Sequence, residues 1–295
     1  MIALELVPLA LILLFVALVG IVGNTIMVVT FFRFKSMRSQ CHYLIMMTCL
    51  ADCFHNYGQF IFVIHIFGDF QSPQILCSIL NVPSLFGVIS ASCFMLLLGI
   101  DRFFACKWPR YHVLFKDASL YTIFQFLIPL LYSAIFLFMT FMEVGNTPVT
   151  CAVPFAMGSQ TFVIWSISNI ILNVITTMLY TAVNCYIQKQ EQGKNFKAVF
   201  KSIFITVSMV SAGWTITAIA NTFVVLFIPT PYGKQLVNMY AGIPVNIACA
   251  SNIFVFYKIN LDYRTCIRKL LSCKNAQVAT SYTEAKRSTT VRLPS

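Results

Sequence analysis

Charge is what this chain has least of. Charged side chains make up 10% of its 295 residues, only 9 of them acidic, against roughly 25% in an ordinary soluble domain. With 59% hydrophobic residues, a water-soluble fold would lack the polar surface to cover itself. Catalytic patterns are missing too. There is no Ser/His/Asp arrangement, no His-Glu-x-x-His and no glycine-rich phosphate loop, and His42, His55, His65 and His112 lack metal-ligand spacing. Nothing here reads as an enzyme, a metal site or a cofactor site. No Asn-x-Ser/Thr sequon occurs, so no glycan-bearing outer domain is expected.

What is present is long apolar runs. Seven stretches are free or nearly free of charge, at about 7–32, 43–67, 78–100, 120–142, 161–187, 202–228 and 236–257. A helix rising about 1.5 Å per residue needs about 20 residues to cross roughly 30 Å of hydrocarbon. Each run meets that length, and the short alternating strands of a barrel are absent. The expected fold is all-α, a seven-helix integral membrane bundle. The first run lacks a basic leader and a small-residue cleavage pattern before Arg33, so it is read as a retained span.

The net charge of +11 would suit nucleic acid if it lay on one soluble face. Instead it alternates with the spans. Arg33, Lys35 and Arg38 follow the first; Arg102, Lys107, Arg110 and Lys116 follow the third; Lys189, Lys194, Lys197 and Lys201 follow the fifth. Eight more basic residues lie from Lys258 onward, and only Lys234 falls on the other side. The positive-inside rule places the tail in the cytoplasm and the N-terminus outside. The basic excess is a topology signal and a contact for lipid headgroups, with no nucleic-acid partner implied. Of the 11 cysteines, only Cys77 and Cys151 fall at outer positions, where oxidation is permitted. A bridge between them would tie the loop before the fifth span over the bundle; two unpaired surface thiols are the alternative.

Polar residues inside spans are costly and need a reason. They are Asn24 after Gly23 in the first span, Asp52 in Leu50-Ala51-Asp52 of the second, and Asp101-Arg102-Phe103 closing the third. Asn252 opens Asn252-Ile253-Phe254-Val255-Phe256-Tyr257 in the seventh, and Trp214 sits mid-way along the sixth. In this order these motifs resemble the rhodopsin-like G-protein-coupled receptors. Met37-Arg38-Ser39-Gln40-Cys41, Gly99-Ile100-Asp101-Arg102 and Asp262-Tyr263-Arg264 look more narrowly like the nematode serpentine chemoreceptors of class SX.

The resemblance implies a multi-pass receptor of the plasma membrane, with a sensory cilium as the candidate compartment. It would turn ligand binding outside into activation of a heterotrimeric G protein, with arrestin and a kinase as further tail partners. It makes Asp101, Arg102 and Phe103 the activation switch, Trp214 a toggle, and Asn24, Asp52 and Asn252 a polar core that binds sodium in the family. Departures bear on that picture. Phe103 and Phe256 stand where tyrosines are usual, Ile253 where a proline is usual, and Ile216 where a proline follows the tryptophan. Ala91 and Ala248 stand where polar side chains usually line the sodium site, so waters or Ser92 would have to complete a shell.

The seventh span has no lysine before Lys258, which excludes a retinal Schiff base, and Ser84 occupies the place of an amine-binding aspartate. Asn81, Ser84, Gly87, Thr217, Asn221 and Tyr240 among many phenylalanines suggest a pocket for a small neutral compound; each could equally make a polar helix contact. His65 and Glu143 leave a peptide ligand open. After the seventh span, 261–271 reads as a basic amphipathic helix on the inner leaflet, with Cys266 and Cys273 as palmitoylation candidates. The receptor domain is taken as 1–273. The polar, Ser/Thr-rich 274–295 is expected to be a disordered cytoplasmic tail. A transporter or channel subunit is the competing reading.

Overall fold

A computed structural model describes residues 4–108, 119–189, 194–228 and 230–272. After a single 3-10 turn at Leu4–Leu6, α1 (Val7–Arg33) and α2 (Gln40–Gly68) form the first two spans. The third is a short α3 (Gln74–Leu80) continuing through Asn81 into α4 (Val82–Lys107). The fourth to sixth are α5 (Ser119–Glu143), α7 (Ser159–Lys189) and α8 (Lys194–Phe227), with a one-turn α6 (Val153–Ala156) in the outer loop. The seventh is broken into α9 (Pro231–Ala241), α10 (Ile243–Ala250) and α11 (Asn252–Ile259), and α12 (Leu261–Leu271) follows. The chain is an all-α membrane bundle.

By length and apolarity six helices qualify as spans; α2 does not reach the same hydropathy. The reason lies in its sequence, which carries Gln40, His42, Asp52, His55, Asn56, Gln59 and His65 along 29 residues. Its strongest packing is against α1 and α4, and Asp52, His55, Asn56 and Gln59 are all buried. A span rich in polar groups stays in a membrane by turning them inward, where neighbouring helices satisfy them.

Burial separates the spans into two kinds. The apolar window of α4 is 61% buried, whereas those of the fourth, fifth and sixth spans are 22%, 17% and 28% buried. Phe138, Met142, Met178 and Phe227 are exposed on these outer helices. In water that surface would drive aggregation, whereas lipid covers it at no cost. Basic residues close the last turns of α1 (Arg33), α4 (Lys107), α11 (Lys258) and α12 (Arg268 and Lys269). They oppose the negative helix end on the face that the charge pattern assigns to the cytoplasm.

On the outer face Cys77 and Cys151 form a disulfide with Cα atoms 5.4 Å apart. The loop is held further by a two-residue antiparallel ladder, β1 (Ser72–Pro73) with β2 (Pro148–Val149), and by Gln74 Nε2 donating to the carbonyls of Phe155 and Met157. Val153 and Phe155 thereby reach down into the mouth of the bundle.

Glu143 and His65, read above as possible peptide contacts, are used internally. The Glu143 carboxylate accepts from the Gln160 and Thr161 backbone N–H groups at 2.7 and 2.8 Å and from the hydroxyls of Ser159 and Thr161. It caps the start of α7 from the end of α5, at donors that would otherwise go unpaired. A Cβ at Gly158 would fall 2.1 Å from that carboxyl carbon, so only glycine lets it approach. His65 is buried, with Nδ1 at 2.9 Å from the Ile61 carbonyl and Nε2 at 3.2 Å from Ser72 Oγ. Replacing Glu143 with alanine should cost about 1 kcal/mol, a loss typical of a removed cap, and lower the unfolding temperature by a few degrees. An unchanged midpoint in thermal unfolding of the purified protein would show that the cap contributes nothing.

Candidate functional site

The polar residues of the spans gather into two sites, one in the middle of the bundle and one at its inner end. In the middle, Asn252 Nδ2 lies 2.7 Å from Asp52 Oδ2, 3.0 Å from Asn24 Oδ1 and 3.2 Å from the Cys249 carbonyl. Asn24 Nδ2 donates to the same carbonyl at 3.1 Å. One amide thus joins the first, second and seventh spans, and all three polar side chains are buried.

A break in the seventh span positions Asn252. Ser251 turns through a tight i→i+3 step, its backbone N–H and its hydroxyl both donating to the Ala248 carbonyl, and α11 then starts at Asn252. The bend forms without a proline at 253. Ile253 instead packs on Gly23, where a Cβ would fall 2.6 Å from Ile253 Cγ2.

Asp52 Oδ1 has no hydrogen-bond partner among the described residues beyond the weakly donating Cys249 thiol. Asp52 lines a small cavity of about 20 Å³ together with His55, Ala91, Ser92, Met95 and Trp214. The family resemblance would put sodium beside this carboxylate, and the lining does not suit it. A hard cation takes oxygen donors, but the walls here are mostly carbon and sulfur, and Ser92 Oγ is turned to Asn169 Oδ1. Among the described residues no cluster of His, Cys, Asp or Glu is arranged to hold a metal.

At the inner end Asp101 is fully buried and the Arg102 side chain is 11% exposed. Arg102 Nε donates to Asp101 Oδ2 at 2.9 Å, and Arg102 Nη2 pairs with the same oxygen. Tyr121 of α5 donates its hydroxyl to Asp101 Oδ1 at 3.2 Å. The pair is charge-assisted and shielded, so the arginine is held against its own helix. Tyr180 of α7, passed over in the sequence reading, is fully buried close by. It lies over Gly99, where a Cβ would fall 2.9 Å from its ring, and stacks on Phe200 of α8 at 5.9 Å. Its phenol finds no partner among the described residues. No Asp or Glu occurs within α8, so aromatic packing rather than a charge pair holds the sixth span against this site.

Trp214 packs edge-on against Trp165 of α7, centroids 5.3 Å apart, a partner that sequence spacing did not reveal. It lines both the small central cavity and an open groove of about 940 Å³ between α7 and α8.

Five of the six pocket candidates have described surroundings, and no one cavity is lined by them together. Asn81 Nδ2 donates to the Cys77 carbonyl and contacts Cys151 Sγ. Ser84 donates to the His55 carbonyl at 2.9 Å, and Thr217 to the Ala241 carbonyl at 2.7 Å. Tyr240 donates to the Glu5 carbonyl at 2.7 Å. A Cβ at Gly87 would lie 2.4 Å from the Ala51 carbonyl oxygen, so this glycine seats α4 directly on α2. The Asn221 side chain lies outside the described residues. Each of the described positions makes a contact between or within helices.

Below the bundle, Asn260 caps α12 by accepting from the Asp262 and Tyr263 N–H groups. Tyr263, Cys266 and Ile267 are buried, Tyr263 lying 5.0 Å from Phe256, and Arg268 Nε donates to the Tyr257 hydroxyl at 3.0 Å. Burial faces Cys266 away from the lipid and pushes its thiol up from the ordinary value, which argues against it as an acylation site. Cys273 and the 274–295 tail lie outside the described residues.

The membrane bundle thus carries a shielded Asp-Arg pair at the inner end of its third span and an amide knot in its middle. The family model for serpentine type 7TM GPCR chemoreceptors, Srsx, matches residues 17–271, and the chain belongs to that family. It is a multi-pass plasma-membrane protein of the receptor class. No curated protein matches the chain.

Gly87→Val forces two helices apart and should cost about 1–3 kcal/mol, seen as loss of surface-labelled receptor. Normal surface levels with an altered ligand response would return this position to a binding pocket.

Proposed function

We propose that this receptor converts binding of a small, neutral, mostly apolar compound at its outer mouth into nucleotide exchange on a cytoplasmic heterotrimeric G protein. The observation that carries the coupling is the buried pair of Arg102 with Asp101, a cation held in a shielded place by its own neighbour. Such a charge is costly to bury without function, and its release exposes a donor-rich surface at the cytoplasmic edge.

Opening needs a moving element, and α8 is the one that fits. It is largely lipid-facing, and it meets the inner site through Phe200 on Tyr180. Outward displacement of α8 separates that stack, frees space beside Arg102 and leaves a groove for an amphipathic helix of the G protein. Trp214, on the same helix beside Trp165 and the central cavity, couples the middle of the bundle to this motion.

The nature of the outer mouth supports a small ligand. The clamped outer loop sets Val153 against the second span: a Cβ at Gly58 would meet Val153 Cγ2 at 2.6 Å and Ser84 Oγ at 2.4 Å. With Phe155 packed among Leu6, Leu9, Phe62 and Met239, the mouth is narrow and apolar. A peptide gains little there, since Glu143 and His65 already have partners.

Arg102→Ala should abolish stimulus-evoked nucleotide exchange while surface expression persists. The assay is a panel of small neutral compounds applied to cells carrying a broadly coupling Gα and a calcium reporter. Unchanged responses from the variant would remove the proposed coupling.

A further inference from the structure

The cavity beside the central knot holds a second buried polar group that neither the resemblance nor the knot explains. His55 lies three residues after Asp52, on the same face of α2, and the two side chains border the same cavity. Both ring nitrogens of His55 lack a hydrogen-bond partner among the described residues, and Asp52 Oδ1 has none beyond the weakly donating Cys249 thiol that lies against the carboxyl and lines the same cavity. Asn246 sits beside the ring, near enough to take one of its nitrogens, which leaves the other for a further partner. Its own amide is occupied, Oδ1 accepting from Gln59 Nε2 at 3.0 Å and Nδ2 donating to the Gly242 carbonyl at 2.9 Å. Asp52 and His55 are 1% and 6% exposed.

An acceptor and a donor left unpaired at this depth are each destabilising. A shared partner removes both costs. The cavity's size says what that partner is. At about 20 Å³ it exceeds the roughly 10–15 Å³ that one water needs. It leaves no room for an ion carrying its own water shell, and among the lining side chains a bare ion would find only two oxygen-bearing groups, the Asp52 carboxylate and the Ser92 hydroxyl.

We propose that the core holds one water bridging Asp52 and His55, and that this histidine takes the place that a sodium ion would occupy beside the carboxylate. The water accepts a hydrogen bond from the imidazole N–H and donates one to Asp52 Oδ1. The other carboxylate oxygen stays on Asn252, so Asp52 is satisfied on both sides without an inorganic cation. The other imidazole nitrogen is left facing Asn246. The knot joining three spans is then independent of the sodium concentration outside the cell, whatever ligand the mouth accepts.

The test uses full-length receptor in lipid nanodiscs, with unfolding followed by a thiol-reactive dye that reports the buried Cys41, Cys49 and Cys249. Wild-type protein is compared in sodium chloride and in choline chloride at equal ionic strength, and its unfolding midpoints should coincide. His55→Leu, which deletes both nitrogens, should lower the midpoint, and His55→Asn, whose amide still reaches the water, should recover part of the loss. Failure of the leucine variant to fold while the asparagine variant folds is the same result in stronger form. A sodium-specific rise in the wild-type midpoint that Asp52→Asn abolishes would overturn the proposal. The leucine and asparagine variants behaving alike would overturn it as well.

Discussion

In hydrocarbon a polar atom has no solvent to fall back on, and the Asn252 amide meets that constraint for three helices at once. It gathers Asp52 Oδ2, Asn24 Oδ1 and the Cys249 carbonyl, and so pins the first, second and seventh spans to one register. Much else follows from it. The second span can carry more polar side chains than its own hydropathy would allow because these partners await it. The bend at Ser251 exists to bring Asn252 to the meeting point, and Gly23 stays small so that Ile253 can seat beside it.

Around this knot the bundle divides into a fixed part and a looser one. The third span is buried along most of its α4 length and is tied at both ends, by the Cys77–Cys151 disulfide on α3 outside and by the Asp101–Arg102–Tyr121 bonds inside. α7 and α8 face lipid, enclose an open groove between them and meet the inner site through stacked rings. Stacked rings slide or part at less cost than a buried charge pair, and the proposed coupling therefore assigns the motion at the cytoplasmic side to α8. Glu143 holds the outer end of α7 to the end of α5.

The fold class and orientation could be read from the chain because they rest on run length and on where lysine and arginine fall. The Cys77–Cys151 bridge rested on there being only two cysteines on the oxidising side. Other features were not legible, and the reason is physical. Where lipid and protein interior are equally apolar, the periodicity that marks a helix's inner face in a soluble protein is lost. Ser84, Thr217 and Asn81 could not be told from ligand contacts, since a small polar side chain is equally content on a backbone carbonyl of its own or a neighbouring helix. The apolar stripe of 261–271 could face lipid or protein, and α12 turns its Tyr263, Cys266 and Ile267 onto the bundle. Tyr180, Trp165 and the capping role of Glu143 carry no sequence mark at all, because each depends on a partner far along the chain.

The account stands on the coupling between Asn252 and Asp52, which a double-mutant cycle measures directly. Unfolding stability of Asp52→Ala, Asn252→Ala and the double variant would be compared with wild type in the same nanodiscs. The double variant should lose less than the two single variants together, with a coupling of about 1–2 kcal/mol for a buried, charge-assisted bond between helices. Strictly additive losses would show that the amide knot does not hold the three spans together.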